Sequence, residues 1–255
     1  MDFKDKVVLI TGAAGGIGIA TARKFAAAGA RLALVDLKLD ALEVAAAGLE
    51  SALLLSANVA DEADVKTYVD KTVETFGRID VFINNAGING DFKQITDQSA
   101  ENYRKVLDVN VIGVAMGLKH VVARMKAQGD GGAIVNMASN GGLLGAPGMS
   151  AYVASKHAVI GINKSVALEV AKDGIRVNAV CPSGVDTQMM KSIETNAMPG
   201  HEDDARKSFE AAVPLGRYAE PEEIADLMMF LASDKASFIT GAYYRIDGGG
   251  GAVSV

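Results

Sequence analysis

Cysteine is nearly missing: Cys181 stands alone in 255 residues. That excludes an internal disulfide and any cysteine-built zinc or iron–sulfur cage, and it suits a reducing, cytoplasmic setting. Histidine is scarce as well, and His120, His157 and His201 stand at no metal-ligand spacing, so no metal centre is expected. No run of Lys or Arg interrupts a chain whose formal net charge is -6. It therefore lacks the electrostatic footprint that holds a nucleic-acid backbone or an anionic membrane. The opening Met1-Asp2-Phe3-Lys4-Asp5-Lys6 runs straight into Val7-Val8-Leu9-Ile10, which leaves no room for a signal peptide. The longest uncharged stretch, Gly131 to Ser155, is broken by glycines, Pro147, Asn136 and Asn140. It reads as strand, loop and helix start rather than as a membrane span. No Pro- or Ser-rich linker, repeat or low-complexity block divides the chain, so residues 1–255 are expected to form one domain.

What is present is a core. Hydrophobic residues make up 49% and charged residues 22% of the chain, and a chain of this length buries roughly three quarters of its unfolded surface without staples. Short apolar runs at Val7–Thr11, Arg31–Asp36, Ala52–Ala57, Asp80–Asn84, Gly132–Ala138, Ile175–Cys181 and Ala242–Ile246 predict strands. Between them, helices are predicted at Ile17–Ala28, Ala41–Glu50, Glu62–Phe76, Ala100–Ala127, Ala151–Lys172 and Pro221–Ser233. Near-continuous Val/Ile/Leu strands alternating with helices predict an α/β fold with a seven-stranded parallel sheet covered on both faces. Between 185 and 217 the rhythm weakens, and Met189, Met190, Ile193, Met198 and Phe209 are scattered among charges. A helical insertion, or lid, is expected there.

After the first strand comes Thr11-Gly12-Ala13-Ala14-Gly15-Gly16-Ile17-Gly18, leading directly into an alanine-rich helix. Glycines at 12, 16 and 18 allow a sharp turn and close backbone approach to a pyrophosphate, which the helix N-terminus would receive. Taken alone this is a tight turn; the preceding strand, following helix and Asp36 ending the second strand make it a dinucleotide site. Asp36 can accept hydrogen bonds from ribose hydroxyls and would repel a 2′-phosphate, which favours NAD over NADP, although Lys38 is close in sequence. No Gly-Lys-Ser/Thr follows the turn, so a nucleoside-triphosphate loop is not supported.

Tyr152 and Lys156 lie four apart at the start of a predicted helix and share one face. A phenol near pKa 10 is a poor base, and a neighbouring ammonium can help to lower it, although desolvation opposes the shift. Such a spacing also occurs on ordinary helix surfaces. It gains meaning from its company: Thr11-Gly12-x-x-x-Gly16-x-Gly18, Asn84-Asn85-Ala86-Gly87, Asn110, Ser139 and Tyr152-x-x-x-Lys156 occur together. In this order and spacing they resemble the short-chain dehydrogenases/reductases of the three-layer, nicotinamide-dependent type, from Lys6 to about Gly250. The resemblance implies a Rossmann-like, doubly wound three-layer fold.

It also implies roles. Tyr152 would be the general acid/base, Lys156 would lower its pKa and bind the nicotinamide ribose, Ser139 would polarise the carbonyl, and Asn110 would hold a relay water. Ala14 and Ile17 join the glycine turn at the cofactor. Asn85, Ala86 and Gly87 would flank the adenosine, whereas Asn84 is expected to be structural. Pro182, Ser183, Val185 and Thr187 would close over the nicotinamide. Two departures stand out: Ser183-Gly184 where the family has Gly directly after the proline, and Asn58-Val59 where an Asp-Val pair commonly meets adenine. The expected substrate pocket comprises Ile88, Asn140, Leu143, Leu144, Met149, Met189 and Met190, with Phe209 from the lid. Mostly apolar, it suits a medium-sized secondary alcohol or ketone, such as a cyclic or aromatic one. Alternatives are a 3-oxoacyl reductase acting on carrier-bound chains and a non-catalytic, cofactor-sensing protein. Gly148-Met149-Ser150-Ala151-Tyr152 falls one residue short of a hydrolase nucleophile elbow. The family resemblance further implies a homotetramer assembled through the fourth and fifth helices.

Overall fold

A computed structural model describes residues 1–49 and 51–252. The predicted end of the second helix at Glu50 and the terminal 253–255, considered for a subunit contact, lie outside the described residues. Seven strands form one all-parallel sheet in the order β3-β2-β1-β4-β5-β6-β7. They are β1 (Val7–Thr11), β2 (Arg31–Asp36), β3 (Leu53–Ser56), β4 (Val81–Asn84), β5 (Gly132–Met137), β6 (Ile175–Pro182) and β7 (Tyr243–Ile246). The order reverses direction between β1 and β4. There the crossovers leave to opposite sides and a crevice opens beyond the carboxyl ends of the strands.

Alternation along the strands sends side chains to two separate cores. On one face Leu9, Phe82, Ile134 and Val177 pack against α3 (Glu62–Phe76), α5 (Gly113–Gln128) and α6 (Ser150–Val170). On the other Val8, Ile10, Leu34, Ile83 and Val180 meet α1 (Gly16–Ala27), α2 (Leu39–Ala45) and α9 (Pro221–Ala232). Helix–sheet–helix layering follows, as the unbroken apolar strands require. Local signals set the helix starts. Asp61 accepts hydrogen bonds from the amides of Ala63 and Asp64, Ser99 accepts one from Asn102 to start α4 (Ala100–Leu107), and Pro221 opens α9 behind a Glu220/Glu223 capping box.

Several bounds differ from expectation. α2 stops at Ala45 because Leu42 is its only buried anchor, while Val44 is exposed and Gly48 turns the chain with φ 88°. The predicted fourth helix is continuous from Ala100 to Gln128 but contains a π turn at Asp108–Ile112 between α4 and α5. This helix is long and apolar enough to cross a membrane by length and composition alone; here Val114, Leu118, Val121 and Met125 bury its inner face on the sheet. Between β6 and α9 the chain forms α7 (Gln188–Ala197) and α8 (Glu202–Ala211).

Candidate active site

At the carboxyl end of β1 the glycine turn is built so that nothing but backbone fits. Gly12 adopts φ 64°, and a Cβ at Gly18 would stand 2.2 Å from the Gly12 carbonyl oxygen. The first intrahelical bond of α1 runs from Ile19 N to Gly15 O at 2.9 Å, so the amides of residues 16–18 precede it. No side chain caps this helix start and no acidic residue lies in its first turn. Free N–H groups with positive dipole and no competing carboxylate fit a pyrophosphate.

The turn is fastened from below by residues that sequence alone does not single out in this role. Thr11 Oγ1 accepts hydrogen bonds from Asn85 N (3.1 Å) and Ala86 N (3.2 Å). Asn85 Nδ2 donates to the carbonyls of Thr11 (3.0 Å) and Gly12 (3.1 Å). The side-chain amide of Asn85 is therefore engaged with the turn. Asn84 is buried and donates to Val114 O and Asn136 Oδ1, both at 3.1 Å. Asp36 ends β2 beside the turn: Oδ2 accepts from Ala14 N (2.9 Å) and Oδ1 from Leu37 N (2.8 Å). Each oxygen keeps a second lone-pair direction for a ribose hydroxyl. Asn58 lines the same cleft, but its Oδ1 already accepts from Ala60 N at 3.1 Å.

Tyr152 and Lys156 occupy the first two turns of α6, and Lys156 Nζ lies 5.6 Å from the centre of the Tyr152 ring. Lys156 is buried and donates to Met137 O at 2.8 Å. Burial depresses its pKa to about 8. Burial also pushes the Tyr152 phenol up, while a hydrogen bond with Ser139 pulls it down. The chain's own groups thus leave the phenol above its ordinary value. Desolvation outweighs the Ser139 hydrogen bond. Gly87 passes close to Asn110 and Lys156: a Cβ there would stand 3.2 Å from Asn110 Oδ1 and 3.4 Å from Lys156 Nζ.

Asn110 is fully buried within the π turn. Its Oδ1 accepts from Ile88 N (2.8 Å), and its Nδ2 donates to Ile88 O (2.8 Å) and Ser155 Oγ (3.0 Å). Ser155 Oγ in turn donates to Tyr152 O at 2.6 Å. Asn110 thereby fastens the strand-exit loop to the tyrosine helix. Ser155 and Met137 are a second pair of supports with no motif signal.

One cleft of about 890 Å³ joins these groups. Its walls include Gly12, Ala14, Gly16, Ile17, Gly18, Asp36, Asn58 and Val59, then Asn85, Ala86, Gly87 and Ile88. They continue through Ser139, Tyr152, Lys156, Pro182, Ser183, Val185 and Thr187 to Met149, Met189, Met190, Ile193 and Phe209. Thr187 also caps α7, accepting from Met190 N. Three expected pocket residues are not among the cleft-lining residues. Asn140 Nδ2 donates to Asp247 Oδ2 at 3.0 Å, Leu143 packs on the core beneath α6, and Leu144 is exposed. Ser139 turns the chain sharply at this point, its Oγ accepting from Gly141 N (3.1 Å). Gly145, Ala146, Ala212, Val213, Tyr218 and Gly250 line the cleft in addition to the expected set. Cys181 is buried, and its thiol is pushed up to about 11, chiefly by desolvation. No cluster of metal ligands occurs among the described residues.

Comparison with known proteins accords with this geometry. A family model described as enoyl-(acyl carrier protein) reductase matches residues 12–250. Levodione reductase from Leifsonia aquatica is 43% identical over 253 residues, covering 97% of this chain and 94% of its own. A crystal structure of levodione reductase superposes with a TM-score of 0.96 at 42% identity, covering 99% of this chain and 100% of that one. Cyclohexanol dehydrogenase from Acinetobacter sp. (strain SE19) is 40% identical, covering 96% and 95%. The crystal structure of NAD+-bound xylitol dehydrogenase gives a TM-score of 0.92 at 35% identity, covering 96% and 99%. The chain belongs to the short-chain dehydrogenases/reductases and is an oxidoreductase of CH–OH groups.

Proposed function

We propose that this protein uses NAD(H) to interconvert a medium-sized, apolar or cyclic secondary alcohol and its ketone. One observation carries the reading: a single cleft runs from an uncapped helix start and Asp36, past Ser139, Tyr152 and Lys156, to an end walled by Met149, Met189, Met190, Ile193 and Phe209. A nicotinamide held along this cleft would supply or accept the hydride. Tyr152 donates its proton to the ketone oxygen, or takes one from the alcohol, while the Ser139 hydroxyl orients that oxygen. Lys156, held on Met137 O, places positive charge beside the phenol and offers its remaining protons to the nicotinamide ribose. Asn110 keeps Ile88 and α6 in register, and a water held there completes the proton path. Asp36 selects NAD, because a 2′-phosphate would meet its carboxylate and Ala13, Ala14 and Gly15 offer no cation. Among the described residues no charged side chain lines the methionine end, which supports substrates gripped by apolar contact with one specified oxygen.

Residues 1–255 act as one domain in this reading, with α7 and α8 as the lid. The protein assembles as a cytoplasmic homotetramer. Supporting the assembly, Ala115, Leu118, Val122, Ile162 and Val166 line an outward groove between α5 and α6 with Lys119 and Glu169 at its edges. The test is absorbance of reduced nicotinamide with NADH or NADPH against cyclic, aromatic and aliphatic ketones and a carrier-bound 3-oxoacyl thioester. Turnover of free ketones with NADH is the expected result. Turnover of the thioester alone would favour a 3-oxoacyl reductase acting on carrier-bound chains, and NADH binding without turnover would favour a cofactor sensor.

A further inference from the structure

Where the family has Gly directly after the proline, this chain has Ser183 followed by Gly184, and the structure shows what stands against Gly184. A Cβ on Gly184 would lie 2.7 Å from Cδ1 and 2.9 Å from Cε1 of the Tyr218 ring. Only hydrogen on residue 184 allows the ring to pack flush on the strand exit. Backbone bonds hold the two segments together, Ala219 N donating to Gly184 O and Asp186 N to Ala219 O, each at 3.0 Å. Tyr218 is 3% exposed, and its hydroxyl donates to Glu194 Oε1 at 2.8 Å. Glu194, on α7, is the one buried residue of that helix and is 5% exposed. Above the same ring, 5.0 Å from its centre, stands the guanidinium of Arg206 on α8. Arg206 is held in turn by Asp186 (2.9 Å) and Glu210 (2.8 Å). One side chain thus meets the nicotinamide-facing segment, α7 and α8 at once, and Tyr218 itself lines the cleft.

We propose that Tyr218 and Glu194 are positioning residues that pin the lid at the height over Ser139 and Tyr152 at which a ketone is gripped. The inference rests on the catalytic reading above. α7 carries Met189, Met190 and Ile193 into the cleft, and its other contact across the mouth is Asn89 Nδ2 donating to Ser192 Oγ at 3.1 Å. A buried polar group on a short helix, satisfied by one partner, fixes register in a way that methionine packing does not, since methionine adapts to irregular gaps. Losing the bond leaves Glu194 unsatisfied, so α7 shifts outward and carries the substrate wall with it.

The test compares Y218F, E194A and E194Q in the full-length protein. Y218F and E194A are each expected to raise KM for a turned-over ketone about tenfold, with kcat within about threefold. Both should speed amide hydrogen exchange across residues 185–212, while α1 and β1 keep parent rates. E194Q keeps an acceptor for the Tyr218 hydroxyl and is expected to stay near parent values. Y218F/E194A should be no worse than the poorer single variant. If Y218F does not fold, E194A, which removes the acceptor and leaves the Tyr218 ring in place, carries the same expectation. Unchanged KM and exchange in Y218F and E194A, with only thermal stability reduced, would overturn the proposal. A parent protein without ketone turnover would remove the catalytic reading instead, and the exchange experiment would still decide whether the pair pins the lid.

Discussion

The two ends of the cleft are built on different principles. At the nucleotide end the parts are backbone groups, locked by contacts that admit no substitute: Thr11 Oγ1 and Asn85 Nδ2 clamp the turn, and Gly18 lies so close to Gly12 O that any Cβ would collide. At the end proposed to receive the substrate the walls are methionines and a phenylalanine, held by a few side-chain bonds, and Met189 is 38% exposed. A ligand that never changes can be met by rigid geometry, whereas a substrate can be chosen by exchanging flexible apolar side chains on a movable support. Tyr152 and Lys156 stand where the two constructions meet.

Changes at that junction should have the largest effect. Lys156→Met is expected to lower turnover about a thousandfold, measured as steady-state ketone reduction at saturating NADH. The same variant should be more stable than the parent at pH 7. Lys156 has a folded pKa of about 8 against an ordinary 10.5, so its ammonium opposes folding below pH 8, by roughly 3 kcal/mol at most. That penalty fades as the pH rises from about 8 to 10.5, and the gain should fade with it in urea titrations. A variant no more stable than the parent at pH 7 would mean that the ammonium is better solvated than its burial implies.

Next comes the contrast between the ends. Gly18→Ala should weaken NADH at least about a hundredfold by fluorescence titration, since the methyl meets backbone that cannot yield. Asp36→Ala should shift the NAD-to-NADP affinity ratio by about 10- to 100-fold toward NADP, the value of losing charged hydrogen bonds to a ribose. An unchanged ratio would remove Asp36 from cofactor choice. The smallest effect is expected at the other end: Met190→Ala should change relative kcat/KM among cyclic ketones by less than about tenfold and leave NADH binding alone. If Met190→Ala damaged NADH binding as severely as Gly18→Ala, the distinction between the ends would fail.

The same contrast explains what could be read without coordinates. The parallel sheet was legible because strands buried on both faces must be apolar throughout, and the glycine turn because a steric requirement leaves a fixed spacing. Pairings between residues distant in the chain left no such trace. Asn140 lies next to Ser139 in sequence, yet Asp247, 107 positions away, draws its amide out of the pocket wall. Leu143 looks like a pocket residue by position, but core packing beneath α6 claims it. Tyr218 lies in no periodic run, and its place in the cleft depends on Glu194 and on the missing side chain at Gly184. Asn110 was visible as a position, whereas the π turn that inserts it between Ile88 and Ser155 was not.

The most direct test is Tyr152→Phe, which removes one oxygen and leaves the ring beside Lys156. NADH titration and ketone reduction should be measured on the same preparation. The account predicts NADH affinity within about threefold of the parent and turnover reduced by 10² to 10⁴-fold. Turnover near the parent level, with NADH bound normally, would contradict it and place proton transfer on another group.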